Sequence, residues 1–157
     1  MALTKINNNT LSAVTTLPAG VGGKVLQTVQ DTLTSAFTTT STSYSDTGLT
    51  VAITPSAASS KILILVDMGT CSVSANINDA SGMKILRDAT LVFEDAWFLY
   101  NSGSVALQSN IGSYHYLDSP SSTSALTYKV QIKCRTNSVS INVNSAKTAI
   151  TLMEIGA

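Results

Sequence analysis

From Leu126 to Arg135 the chain alternates without a break: Leu126, Tyr128, Val130, Ile132 and Cys134 against Thr127, Lys129, Gln131, Lys133 and Arg135. Successive side chains of an extended backbone point to opposite faces, so this period of two requires a strand with one face in a core and one in water. Any fold open to the chain must contain a sheet with a covered face. Leu49, Val51 and Ile53 against Thr50, Ala52 and Thr54 repeat the pattern, as do Val139, Ile141 and Val143 against Ser140, Asn142 and Asn144. Thr136-Asn137-Ser138, between two such runs, reads as a hairpin turn. Ile62-Leu63-Ile64-Leu65-Val66 and Ala149-Ile150-Thr151-Leu152-Met153 are different. They are apolar on both faces and need cover on two sides, one of which a neighbouring subunit can supply.

Residues 83–100 permit two readings. Ile85, Ala89, Val92, Ala96 and Tyr100 keep helical spacing, while Leu91 and Phe93 suit a strand. The Ser/Thr-rich, turn-punctuated surroundings and the loop-forming Asp79-Ala80-Ser81-Gly82 favour strands. Pro55 and Pro120 lie in Ser-rich stretches that mark loops between strands. The residues therefore predict an all-β chain, an antiparallel β-sandwich over residues 24–157. Ahead of it, residues 1–23 mix apolar side chains with Asn7-Asn8-Asn9 and close on Pro18-Ala19-Gly20-Val21-Gly22-Gly23. This reads as a short extended N-terminal arm and a Gly-rich hinge.

At 157 residues the sandwich can bury a core without disulfides or metals. Charged residues are only 11% of the chain, where an ordinary soluble domain carries about 25%, and 22 Ser and 21 Thr take their place at the surface. Lys and Arg balance Asp and Glu at nine each, so no basic excess exists to displace counterions from phosphates. No apolar run approaches the roughly 18 residues of a membrane span, and the start lacks the basic and apolar segments of a secretory signal. Neither a nucleic-acid partner nor membrane insertion is expected. Cys71 and Cys134 match no zinc or CxxC spacing and read as buried thiols.

Catalytic chemistry finds few groups to use. His115 is the only histidine, which excludes a histidine-rich metal site in one chain, and no GxSxG elbow is present to hold a nucleophilic serine beside it. Gly20-Val21-Gly22-Gly23-Lys24 departs from a phosphate loop, with Pro18 in place of its first glycine and Val25 in place of the magnesium-holding Ser or Thr. Asn76, Asn78 and Asp79 suggest an oxygen-rich cation loop, but Arg87 occupies the position where a bidentate Glu is needed. Glu94-Asp95 is the densest acid pair, and neighbours on a strand point to opposite faces, so they cannot flank one bond. The expectation is a protein that is not an enzyme and holds no metal or cofactor. Lys129, Lys133 and Arg135 form a basic stripe, read as a solvated face or a salt-bridge surface between subunits.

Six of the nine aromatic residues fall between residues 93 and 116, beside the Asn101-Ser102-Gly103-Ser104 loop. Phe93, Trp97 and Phe98 read as core. Tyr100, Tyr114, His115 and Tyr116 are the candidate receptor-binding residues, because such side chains offer stiff amphipathic surface to a sugar or a protein.

Gly22-Gly23-Lys24-Val25-Leu26-Gln27, the run from Ala36-Phe37-Thr38-Thr39 to Asp46-Thr47-Gly48-Leu49, Ile53-Thr54-Pro55-Ser56 and Ser59-Ser60-Lys61-Ile62-Leu63-Ile64 together resemble a recurring module of bacteriophage fibre proteins. Ile150-Thr151-Leu152-Met153-Glu154-Ile155-Gly156-Ala157 resembles that module's C-terminal strand. The resemblance covers most of residues 22–64 and 126–157. It implies a homotrimeric jelly-roll head of the C1q and tumour-necrosis-factor type on a virion structural protein. Fibre proteins usually carry a long shaft ahead of the module, whereas here only some 20 residues precede it, so a short fibre or knob of tail or capsid is expected.

Self-association has a physical motive as well. A chain with so few charges and several two-faced apolar strands exposes patches that a closed symmetric trimer removes. The candidate trimer-interface residues are Ile62, Ile64, Val66, Ile150 and Leu152. Leu3, Ile6, Leu11, Val14 and Leu17 are the candidate contacts of the arm with other virion proteins, and a host-cell surface glycan or protein is the expected outer partner. Two alternatives stay open. One is a capsid decoration protein whose arm orders in a groove between capsid subunits. The other is a monomeric carbohydrate-binding or hydrolytic sandwich, motivated by the aromatics and Glu94-Asp95.

Overall fold

A computed structural model describes residues 24–74, 79–110 and 112–156. The arm and hinge of residues 1–23, with Leu3, Ile6, Leu11, Val14 and Leu17, and Asn76 and Asn78 of the oxygen-rich loop lie outside the described residues. The strands are β1 (Val25–Leu33), β2 (Phe37–Thr39), β3 (Ser45–Ile53), β4 (Lys61–Asp67), β5 (Thr70–Val73), β6 (Asp79–Arg87), β7 (Thr90–Asn101), β8 (Leu107–Asn110), β9 (Ser113–Asp118), β10 (Leu126–Cys134), β11 (Val139–Ile141) and β12 (Thr148–Ile155). Every pairing is antiparallel.

Three four-stranded sheets result, ordered β1-β12-β4-β9, β2-β11-β5-β8 and β3-β10-β6-β7. The first two repeat one order, since each strand of one continues in the chain into the corresponding strand of the other. They form a single layer of four long strands, each interrupted along a shared line. At that line Gly69 has φ +58°, and a Cβ there would stand 2.6 Å from the Lys147 carbonyl oxygen, so only glycine permits the approach. Among the described residues, counting each interrupted strand once leaves eight strands in two sheets. The chain crosses between the sheets everywhere except at the β6–β7 hairpin, which is the strand order of a jelly roll.

The core lies between the layers. Ile62, Ile64 and Val66 of β4 and Ile150 and Leu152 of β12 face Leu49 and Ile53 of β3, Met83 and Ile85 of β6, and Tyr128, Val130 and Ile132 of β10 in one cluster of buried residues. The alternation from Leu126 is thus a central strand, paired on both edges, with its even-numbered residues inward. Residues 83–100 form a hairpin and not a helix: β6 turns through Asp88-Ala89 into β7, and the pairing places Phe93 beside the inward Ile85. Cys71 and Cys134 are both buried free thiols.

Three local expectations fail. Asp79-Ala80-Ser81-Gly82 is not a loop but the start of β6, paired with β7 and β10. Thr136-Asn137-Ser138 is not a hairpin turn, because β10 pairs with β3 and β6 while β11 pairs with β2 and β5. The turn arches from one layer to the other, so both runs bury their apolar faces in the same core from opposite sides. The strand expected to continue through Val143 stops at Ile141, where Asn142, Asn144 and Ser145 take positive φ around a short 3-10 turn.

A buried carboxylate ties one end of the sandwich. Glu154 of β12 is fully buried and accepts hydrogen bonds from Gln27 Nε2 at 2.6 Å, the Ser56 amide at 2.7 Å and the Ser56 hydroxyl at 2.6 Å. Burial works against its charge, but the bonds from Ser56 and Gln27 outweigh it and hold the carboxyl down at about 2. A lowered folded-state value means that the stabilisation is complete above the unfolded value of 4.5 and is lost as pH falls toward 2. In urea titrations the wild type is expected to lose stability across that window. Glu154→Gln, which sets an amide N–H against these donors, is expected to cost about 2 kcal/mol at neutral pH and to flatten the acid slope. An unchanged slope in the variant would show that Glu154 does not carry it.

Candidate functional site

The two-faced strands decide which surface is left open. Ile62, Ile64, Val66, Ile150 and Leu152, the candidate interface residues, are each 0% exposed within a single chain. They are corrected to core: a second copy cannot reach them. The opposite parity faces out, and adjacent strands align it in rows. Leu63 stands opposite Met153 and Leu117, Leu65 opposite Thr151 and His115, and Ile155 opposite Lys61 and Val25. Val25, Leu26 and Leu117 are about half exposed. Gln30 donates to the Thr151 hydroxyl at 2.7 Å, and Thr28 and Gln30 extend the rows without charge. Within this face β4 carries its charges only at its ends, Lys61 and Asp67. Those ends were the available signal: Lys61 and Asp67 share the parity of Leu63 and Leu65, so the odd-numbered residues of that run face outward.

The aromatic cluster divides among three places. Tyr114 and Tyr116 pack on Phe93 at ring distances of 5.7 and 6.1 Å, at the side of the sandwich where β7 and β9 form the edges of the two sheets. The Tyr114 hydroxyl donates to Asp95 Oδ2 at 3.1 Å, bridging the layers. Burial pushes its ionisation well above the ordinary phenol range, and the Asp95 charge adds to that. A second bridge brings Arg87 and the Tyr128 hydroxyl to one oxygen of Asp118, at 2.5 and 2.7 Å. His115 points the other way, into the apolar outer face. Tyr100 lies beside Trp97, with rings 5.6 Å apart. Tyr100, Tyr114, His115 and Tyr116 therefore do not converge.

Trp97 is 56% exposed and is corrected from core to surface, while Phe98 is buried. The cause is a bulge: Ser81 pairs with Leu99 and Met83 with Asp95, so Ala96-Trp97-Phe98 opposes Gly82 alone, and inside it Trp97 turns out although Asp95 and Leu99 on either side keep the inward parity. Beside it, on the outer face of β3-β10-β6-β7, lies a concavity of about 330 Å³ lined by Thr42, Gly82, Ala96, Trp97, Lys133 and Arg135. The Arg135 guanidinium stands 5.7 Å from the Trp97 ring, and the Lys84 and Lys133 ammoniums stand 4.5 and 4.4 Å from the Tyr44 ring. Tyr44 donates to Glu94 Oε1 at 2.7 Å. Asp46 accepts from Lys129 and Gln131 on the same face. Glu94 faces outward and Asp95 inward, so the acid pair does not share a cleft. Sequence reasoning marked Lys133 and Arg135 as a stripe but missed Tyr44 and Lys84, which come to it from the segment before β3 and from β6.

The two outer faces differ in kind. One is apolar with almost no charge, and the other carries cations, acids and aromatic rings. Among the described residues no three His, Cys, Asp or Glu side chains gather as metal ligands, and no helix is long and apolar enough to cross a membrane.

No family model and no curated protein matches the chain. Among solved structures it is similar to viral capsid chains. The VP2 subviral particle of infectious bursal disease virus gives 14% identity and a TM-score of 0.42, over 84% of this chain and 34% of that one. The Gx strain of the same virus gives 13% identity and a TM-score of 0.38, over 83% and 37%. The chain spans about a third of the length of these neighbours.

Two neighbours on β9 separate structural from surface roles. Tyr114→Phe is expected to lower the unfolding free energy by about 1 kcal/mol through loss of the bond to Asp95, while His115→Ala changes it by less than about 0.5 kcal/mol. Equal effects in urea denaturation would contradict this placement.

Proposed function

We propose that this chain is a non-enzymatic structural protein of a virion, a short knob that assembles as a homotrimer through the outer face of β1-β12-β4-β9. The observation that carries the reading is the register of that face: Leu63, Met153, Leu117 and Ile155 lie together, half-buried or exposed, on a chain with few charges. A continuous apolar patch of this kind invites association, and rotation about a closed axis covers it in every copy at once. Support for a virion comes from the residues that resemble bacteriophage fibre modules, whose jelly-roll heads are trimeric. In this reading the arm of residues 1–23 docks the knob on tail or capsid proteins, and the charged, aromatic face of the other sheet turns toward the host surface.

Size-exclusion chromatography with light scattering is expected to give the mass of three 16.4 kDa chains for the wild type. Leu63→Glu, opposite Met153, is expected to give one chain with unchanged far-ultraviolet circular dichroism. A wild type that stays monomeric at micromolar concentration would remove the trimer. Mass spectrometry of purified phage particles from the producing host tests the location separately, and absence of the chain from them would remove the virion.

A further inference from the structure

We infer that the concavity on the outer face of β3-β10-β6-β7 binds a carboxylate-bearing saccharide. The site is built from β6, β7 and β10 and the segment that leads into β3. Lys84 and Lys133 converge on one Tyr44 ring, and the salt bridges among the described residues, Arg87 with Asp118 and Lys129 with Asp46, use neither of them. Lys84 stands opposite Glu94, whose Oε1 accepts from the Tyr44 hydroxyl, whereas Lys133 lines the concavity and can donate a charge-assisted hydrogen bond to a bound carboxylate.

The neighbouring wall supplies the other half of the recognition. The bulge lifts the Trp97 indole out of the sheet, leaving a flat apolar surface more than half exposed, with Arg135 at its side. The C–H face of a pyranose ring packs on such a surface, while its carboxylate reaches Lys133. Gly82 keeps the floor bare: a Cβ there would come within 2.7 Å of the Tyr44 hydroxyl oxygen and 3.0 Å of Lys133 Cε, displacing both. About 330 Å³ lies at the lower end of small-ligand sites and holds a short saccharide. A neutral sugar offers no charge to Lys133, and a simple anion makes no use of the indole. The use of the site for host contact rests on the reading above. Binding itself does not, and it survives loss of the trimer.

Trp97 is the only tryptophan, so its emission reports the site directly. Titration of the full chain with trigalacturonic acid and with N-acetylneuraminyl-lactose is expected to give a saturable change for at least one of them. The corresponding neutral compounds, the galacturonate methyl ester and lactose, are expected to bind about tenfold more weakly. Lys133→Ala, a surface change that leaves the core intact, is expected to weaken binding by a similar factor, and Gly82→Ala to abolish it with circular dichroism unchanged. If Gly82→Ala does not fold, Lys133→Ala decides. No saturable change up to about 10 mM, equal binding of acid and neutral forms, or undiminished binding by folded Lys133→Ala would each overturn the site.

Discussion

A strand has two faces, and a sandwich of two layers covers only one of them. In this chain the packing of Ile62, Ile64, Val66, Ile150 and Leu152 against Tyr128, Val130, Ile132 and Ile85 settles which parity is inside, and the rest of the surface follows. Once those residues are inward, Leu63, Leu65 and Met153 must face out, in register with Leu117, because a shift of one residue would exchange the two sets. On the other sheet the same rule sends Lys129, Gln131 and Lys133 outward beside Lys84 and Glu94. One layer ends up with an apolar coat and the other with a charged and aromatic one.

Polar bridges close what the apolar core leaves open. Glu154 holds Gln27 and Ser56 at one end, Asp118 gathers Arg87 and Tyr128, and Asp95 receives Tyr114 where the sheet edges meet. Each is a carboxylate that accepts more than one donor, the arrangement in which a shielded charge stabilises a fold. Three of the chain's nine acids are used in this way, which leaves still fewer charges for the surface and sharpens the contrast between the faces.

The sandwich was legible because period two is a direct statement about faces, and Leu126 to Cys134 makes it without interruption. Inside and outside were legible in β4 only from its charged ends, Lys61 and Asp67, and not in β12, where Glu154 sits on the inward parity, against the usual meaning of a charge. Trp97 was misplaced because a bulge breaks the alternation locally without changing composition. The concavity was only half visible, since Lys133 and Arg135 are near in sequence while Tyr44, Lys84 and Trp97 come from three other segments. The arch at Thr136-Asn137-Ser138 looked like a hairpin because a turn's residues say that the chain reverses, not whether it returns to the same sheet.

The central claim is that copies of the chain cover the outward parity of β4 and β12. The rate at which a thiol reagent modifies Met153→Cys, followed as a function of protein concentration, reads that cover at the residue in question, while the buried Cys71 and Cys134 serve as slow internal references. The account predicts a rate that falls as concentration rises and recovers on dilution. A rate that is fast and independent of concentration would contradict it.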